Sequence, residues 1–585
     1  MGSDSAGSWH DRFQQTFSNP DSARQRKRVT RDSWQQLKFE RRKRAEIESS
    51  TWWRARKKAR RIAVKVKPRN ANDGGAAGAP NGDSQKIAMR EEAIIRRTKS
   101  VLTRFGYESS TLVDLDTVLS QLRTALEQTS DRRELYWFTF VAIVGRNPLE
   151  NDLRLLDSDF EVYGAEHAIA SLLDANARTP DSWSLGADIR FVDDVTVDVS
   201  TTAQTEVHSG IQRVVRETVS RWMSDHEVVL VVWDTKARTF RAAKLNEQER
   251  ITNYAPGTDS GKLTAPDTAT AEIVVPIHTV MIVPEVCANL NRSLCLDALA
   301  GWTETRLSAV FYDFIGQTMP EAVDERGRVM LSNYVPVLRA ADRISAISET
   351  ARNEVEGFGQ GTASLGLPVP SVRAHLLPAV PPASTDNAVP KLVADLVALG
   401  SGPLIVSVSR IEPRKNQITI LRAAAALWAE GLEFKLLFIG WNEVNAKEFN
   451  TELERLQQEG RPVSVVSRAD EDTVWGAYRT ALFSVFISLA EGYGLPAAES
   501  LAVGTPVVLS NFGSMAEIGA QGGAAMVDPR NVREVIGAMR QLLTDDAKCL
   551  KLRTEALNRE SGNWDDYAAE TWEWLTNSDA SVDSQ

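Results

Sequence analysis

The sequence predicts an α/β fold of two facing Rossmann-like domains, preceded by a small helical domain and a basic N-terminal arm. Three observations predict it. From about residue 185 onward, short and nearly continuous apolar runs alternate with amphipathic helical stretches, the pattern of parallel sheets covered on both faces. These runs come as two series joined by the Pro-rich "AVPPASTDNAVP". With 585 residues, the chain is also too long for one core.

Residues 1–70 form the arm. Between Arg24 and Arg69 there are 19 Lys/Arg against 4 Asp/Glu, while the whole chain has a net charge of −10, so the remainder carries about −25. Such an arm is expected to be disordered or to lie on an anionic membrane surface, with Trp34, Trp52 and Trp53 at the interface. Neutralising nucleic-acid phosphates is the competing use of the same charges. Residues 71–85, "NANDGGAAGAPNGDSQ" at their centre, read as a linker. Residues 86–178 hold helix-spaced segments such as "LVDLDTVLSQLRTALEQ" and "ELYWFTFVAIVGRNPLE" and make a helical domain with no readable chemistry.

Residues 185–385 are the first Rossmann-like domain, with strands expected at "VTVDVS", "EVVLVVWD", "VMIVPEV", "LSAVFYDF", "RISAIS" and "RAHLLP". Residues 386–577 are the second, with "PLIVSVSR", "FKLLFIG", "PVSVVS", "FSVFISL", "TPVVLS" and "AAMVDP". "GFGQGTASLG" is expected to be a loop. "SGNWDDYAAETWEWLTN" closes the chain as an amphipathic helix whose Trp564, Tyr567, Trp572 and Trp574 are assigned to packing.

The composition is that of an ordinary globular protein, 43% hydrophobic and 25% charged. Three scattered cysteines, Cys287, Cys295 and Cys549, and six histidines argue against a disulfide framework or a zinc cluster and fit a reducing cytoplasm. No apolar signal core follows the first charges, and nowhere do about twenty apolar residues run together, so neither secretion nor membrane spanning is expected.

Candidate chemistry lies where strands end. In "VFISLAEGYGLPAAESLAVGTPVV", Glu491 is expected in a loop after a strand, Pro496 at the start of the next helix and Glu499 in that helix's first turn. In open α/β sheets such loops line the ligand crevice, and a helix start offers N–H groups to anions. Carboxylates there suit sugar and ribose hydroxyls. "LIVSVSRIEPRKNQ" places Arg410 at a strand end and Lys415 in the following loop, where two cations neutralise the charge of a departing diphosphate. Gly210, in "HSGIQRVVRE", precedes a helix and allows close approach of a phosphate. It is not part of a GxGxxG fingerprint, so a nicotinamide or flavin enzyme is disfavoured and no cofactor is expected.

The block "SLAEGYGLPAAESLAVGTPVVLSNFGSMAEIGAQGGAAMVDP" resembles the E-x7-E region of retaining glycosyltransferases of family 4, and "VSRIEPRKN" resembles their diphosphate site. "HSGIQRVVRE", "VFYDFIGQTMPE" and "ISAISETARNEV" are similar to the first half of bacterial members that transfer mannose-like sugars in surface polysaccharide synthesis. The resemblance spans about residues 193–575 and implies the GT-B architecture. It implies a hexosyltransferase that uses a nucleotide-sugar donor, GDP-mannose ahead of a UDP sugar, and a glycan or lipid-linked acceptor. It further implies that Glu491 meets the donor sugar, that Gly494 and Leu495 N–H groups hold its sugar and phosphates, and that Glu499 takes the ribose. Arg410 and Lys415 would take the diphosphate and Gly210 would close on it. Configuration is retained in this family without a tightly bound metal, and no DxD follows a strand of the Rossmann-like region. Where many members have histidine this chain has Tyr312, which makes Asp313 the candidate polar group at the reaction centre, with His208 a further crevice candidate. Sugar-nucleotide epimerases share the architecture and are the competing enzyme class. A transferase with such an acceptor sits in the cytoplasm, peripheral on the inner membrane face, which favours membrane over nucleic acid for the arm.

Overall fold

The computed structural model describes residues 82–177, 187–205, 209–253, 272–323, 325–381, 390–398, 401–441, 446–467, 469–560 and 562–577. The arm at 1–70, most of the linker and His208 lie outside them. The helix Gly82–Arg104 begins inside the stretch expected to be linker, which corrects that boundary by a turn. Among the described residues no helix is long and apolar enough to cross a membrane.

The chain forms two compact units, a helical one and a larger one that comprises the residues from Ala187 onward with Arg133–Trp137 and Arg146–Asp152. In the helical unit, "LDTVLSQLRTALEQ" is the helix Leu115–Gln128, started by a capping box. Thr117 N–H donates to Asp114 Oδ1 at 2.8 Å, and Asp114 N–H reaches back to Thr117 Oγ1. Its buried residues Leu115, Val118, Leu122 and Leu126 recur at helical spacing on one face. Arg97 is fully buried there and donates from Nε to the carbonyl of Ala142 at 2.8 Å.

The larger unit has a first half, with β1 (Asp188–Val192), β2 (Val195–Asp198), β3 (Val228–Asp234), β4 (Thr239–Ala242), β5 (Glu272–Pro276), β6 (Val280–Val283), β7 (Arg306–Phe311), β8 (Arg343–Ala346) and β9 (Ser371–Ala374). The second half has β10 (Leu404–Val408), β11 (Lys435–Ile439), β12 (Val463–Val466), β13 (Phe483–Phe486), β14 (Val507–Ser510) and β15 (Ala524–Val527). The sheet orders are β4-β3-β2-β6-β7-β8-β9 and β12-β11-β10-β13-β14-β15, with β1 and β5 paired apart. Every pair is parallel except β3 with β4. Strands such as β6, β8 and β11 are buried along their whole length, as a sheet covered on both faces requires. This is an α/β fold of two mostly parallel, helix-covered sheets, as expected of two Rossmann-like domains.

Eleven of the twelve expected strands coincide with strands of the fold, "RAHLLP" meets β9 only at Arg373 and Ala374, and β1, β4 and β5 are additional. The expectation of a loop at "GFGQGTASLG" is overturned, because the helix Glu349–Ala363 runs through it. That helix is capped by Ser348, whose Oγ accepts from Ala351 N–H at 2.9 Å. Gly359 lies against Val369, where a Cβ would come within 2.9 Å of Cγ1.

Strand order sets the position of the site. In each half the chain works outward on one side and then returns to the other, reversing between β2 and β6 and between β10 and β13. Loops leaving the carboxyl ends of strands diverge at such a reversal and open a crevice. The loops after β10 and β13 carry "SRIEPRK" and "SLAEGYG".

The last helix, Trp564–Thr576, packs on the first half. Trp222 Nε1 donates to Ala568 O at 2.8 Å, Ser308 Oγ to Leu575 O at 2.8 Å, and Trp574 Nε1 to Ile344 O at 3.0 Å. Trp564 and Tyr567 are buried. Trp572 stacks on His226 at 4.0 Å, and the guanidinium groups of Arg343 and Arg373 lie 4.6 and 4.9 Å from the Trp574 ring. All four aromatic residues therefore contribute packing area.

Candidate active site

Beyond β10 the chain makes a short 3-10 turn, Pro413–Lys415, and enters the helix Gln417–Ala429 through Asn416 at φ +60°. Asparagine tolerates the left-handed region, and here its side chain is also held. Nδ2 donates to Pro529 O at 2.8 Å, and Thr419 Oγ1 donates to Oδ1 at 2.6 Å. The turn is tied to the neighbouring loop by Leu489 N–H on Arg414 O at 2.8 Å and by Arg414 Nη1 on Ala490 O at 2.6 Å. The β10 and β13 loops are thus joined at backbone level before any side-chain pairing is considered.

Glu491 sits between two cations of that turn. Arg414 Nη1 is 2.9 Å from Oε2, and Lys415 Nζ is 2.5 Å from Oε1. Arg414 is oriented by Glu412, 2.7 Å from Nη2, and the Lys415 ammonium lies 5.2 Å from the Phe486 ring centroid. Burial pushes the Glu491 carboxyl up, but Arg414 and Lys415 together outweigh it and hold it at about 2. It is therefore an ionised acceptor throughout the physiological range. A proton donor of the kind a glycoside hydrolase needs is not available at this position.

Asp313 follows β7 in the first half. Its carboxylate accepts Ile315 N–H at 3.0 Å, and burial raises its pKa, opposed by that N–H and by Arg414 and reinforced by the negative charge of Glu491. Glu354 accepts the next N–H, that of Phe314, at 2.9 Å and is held up at about 6 by burial, which the N–H opposes and the Asp313 charge reinforces. Asp313, with its raised pKa, thus stands between Glu354, also raised, and Glu491, which is depressed, and interacts with both. Tyr312, at the position where many members of the resembled family have histidine, points inward. Its ring is buried and its hydroxyl donates to Pro284 O at 2.7 Å, so it contributes packing.

Gly494 caps the helix Leu495–Ala502 at φ +118°, a conformation open to glycine. Pro496 is the second residue of this helix, not the first, which puts Glu499 in the second turn and corrects the expectation of a first-turn acid. Glu499 is 8% exposed, and its Oε1 accepts from Arg213 Nη1 of the first half at 2.6 Å. Burial raises its pKa, and Arg213 opposes the rise.

The two halves meet here. A Cβ on Gly210 would lie 3.6 Å from Leu495 Cδ1, so the start of the helix Gly210–Asp225 faces the start of Leu495–Ala502. A Cβ on Gly492 would come within 2.3 Å of the Tyr312 carbonyl oxygen, and Ser348 Oγ donates to Gly492 O at 2.6 Å. Glu517 accepts the N–H groups of Glu349 and Thr350 at 2.9 and 2.7 Å, placing a second-half carboxylate on a first-half helix start.

Of the expected site residues, Glu491 and Lys415 are in contact, Asp313 lies within electrostatic reach of both, and Gly210, Gly494, Leu495 and Glu499 line the meeting of the two helix starts. The Arg410 side chain is 59% exposed, with Nη1 3.8 Å from Glu412 Oε2. Arg414 and Arg213 were not among the expected residues. Arg414 stands in plain view in "RIEPRKN", and the 3-10 turn brings it, with Lys415, onto Glu491. Arg213 carries only the weaker signal of sharing a helical turn with Gly210.

This fold and site define a crevice between two Rossmann-like halves, lined by paired charges and two helix starts. Residues 391–559 match the family model described as Glycosyl transferases group 1. The serotype-specific mannosyltransferase WbdA of Escherichia coli is 24% identical over 338 residues, 55% of this chain and 38% of that protein. The O-antigen chain mannosyltransferase B of Escherichia coli is 31% identical over 143 residues, 24% of this chain and 36% of that protein. The chain thus spans well under half the length of these relatives. Among solved structures, that of Anabaena Alr3699/HepE in complex with UDP and glucose aligns with a TM-score of 0.45 at 12% identity, covering 65% of this chain and 98% of that one.

Proposed function

We propose that this protein is a retaining glycosyltransferase that moves a mannose-like hexose from a nucleoside diphosphate sugar, GDP-mannose ahead of a UDP sugar, to a glycan or lipid-linked acceptor in surface polysaccharide synthesis. The observation that carries the reading is Glu491, held ionised between Arg414 and Lys415 beside the start of the helix Leu495–Ala502. An ionised carboxylate accepts hydrogen bonds from sugar hydroxyls. Arg414 and Lys415, with Arg410 at the rim and the Gly494 and Leu495 N–H groups, neutralise the diphosphate as it departs. Gly210 admits the same phosphates from the first half, Glu499 receives the ribose, and Asp313 orients the acceptor hydroxyl, whose proton passes to the leaving phosphate on the same face. The mannosyltransferase names of the relatives support the choice of sugar.

The basic arm at 1–70 supports a peripheral position on the anionic inner face of the cell membrane, where a lipid-linked acceptor would be met. Sedimentation with anionic liposomes tests this; equal sedimentation after deletion of residues 1–70 would remove the arm's role. The donor is tested by thermal denaturation with GDP, UDP, ADP and dTDP, since a ligand of the native state raises Tm. GDP is expected to give the largest rise, followed by transfer of label from GDP-mannose; no rise with any of the four would sink the donor assignment.

A further inference from the structure

We propose that Arg213 is a positioning residue of the nucleotide site: a side chain of the first half that holds the Glu499 carboxylate by one oxygen and leaves the other to accept ribose hydroxyls. The inference rests on the reading above in which Glu499 meets the ribose. Its geometric basis is the contact between Arg213 Nη1 and Glu499 Oε1 at 2.6 Å, made by residues 286 positions apart in sequence. The side chains are 14% and 11% exposed, so the pair is largely withdrawn from water. It is also one-pronged, engaging Oε1.

A carboxylate placed to receive a ribose diol needs two things. It must stay ionised, because two hydroxyl donors call for an acceptor-only partner, and it must hold one orientation. Burial works against the first at Glu499, and a guanidinium, which keeps its charge in proteins, counters it. The second follows from where Arg213 stands. It lies in the first turn of the helix Gly210–Asp225, and Gly210 packs against Leu495, the first residue of the helix that bears Glu499. The anchor therefore reaches Glu499 only when the two halves are together. Ribose recognition is in this way assembled by closure and is not resident in the second half alone.

The test is a thermodynamic cycle on the full-length protein. Kd is measured for GDP and 2′,3′-dideoxy-GDP, and for the corresponding uridine pair, with wild type, Arg213→Met and Arg213→Lys. Wild type is expected to prefer the ribonucleotide by about tenfold or more. In Arg213→Met that preference should fall to within about twofold of unity, through loss of ribonucleotide affinity with little change for the dideoxy form. Arg213→Lys, which keeps a charge but not the planar fork, should fall between. A wild type that does not distinguish the two sugars would refute the ribose role of Glu499 itself. A wild type that distinguishes them, with a preference equally strong in Arg213→Met because both ligands weaken in parallel, would overturn the present inference alone and leave Arg213 a structural tie. Should Arg213→Met fail to fold, the same ratio is read in Arg213→Lys, where an unchanged preference overturns the inference.

Discussion

Two carboxylates of one short segment, Glu491 and Glu499, are solved by the fold in opposite ways. Glu491 is paired within its own half, by Arg414 and Lys415 from a turn bonded to its own loop. Glu499 is paired across the crevice, by Arg213 of the other half. The first pairing depresses the carboxyl pKa to about 2, whereas the second is outweighed by burial and leaves Glu499 raised. The lesson is that one station stands complete in the second half and the other depends on how the halves meet.

The sharpest way to break this comparison is Glu491→Gln, for which transfer should fall about 10²- to 10³-fold. Because the substitution frees Arg414 and Lys415 for phosphate, nucleoside diphosphate affinity should hold or tighten. Titration calorimetry beside a transfer assay checks both, and transfer within tenfold of wild type would remove Glu491 from the chemistry. Glu499→Gln should do the reverse, weakening nucleotide binding by about ten- to a hundredfold while transfer recovers at saturating donor. Equal losses of both quantities in the two variants would erase the distinction between the stations.

A smaller effect is expected from Gly492→Ala, which touches neither carboxylate but places a methyl group against the Tyr312 carbonyl oxygen. Stability should drop by about 1–3 kcal/mol, read as a lowered Tm. An unchanged Tm would mean that the halves do not meet there in solution.

The smallest effect concerns pH. The Glu354 carboxyl sits at about 6 against an ordinary 4.5, so the native state binds the extra proton between those values. Its stabilising contribution is complete below about 4.5 and is lost as pH rises through about 6. Allowing for solvent screening of a partly exposed group, Glu354→Gln should be more stable than wild type at pH 8 by about 1 kcal/mol and equal to it near pH 4. Glu491 has the opposite sign: its contribution is present above 4.5 and is lost as pH falls toward 2. A denaturation series across pH separates the two.

Much of this was legible in the sequence. Most of the expected strands carry their own signal, because a strand buried on both faces must be apolar throughout; β4, "TFRA", and β9, "SVRA", are short and only partly buried and have no such run. "EGYGLPAAES" was legible because its geometry is local: one left-handed glycine, one proline and a helix start. The misread "GFGQGTASLG" shows the limit of composition. Its first three glycines lie inside a helix, and Gly359 is small there because Val369 lies against it. Arg213 illustrates a different limit. Nothing within a few residues of it reveals a partner 286 positions away, and only the closed chain supplies one.

The terminal helix Trp564–Thr576 has a consequence for building chimeras of such proteins. By chain order it belongs with the second half, yet its hydrogen bonds run to Trp222, Ser308 and Ile344. A graft that exchanges second halves by cutting once, near residue 390, would import a foreign helix onto the resident sheet. The workable exchange has two junctions, the second just before Asn563, whose side chain caps the helix. The first half and the helix Trp564–Thr576 should therefore travel together when homologous halves are recombined.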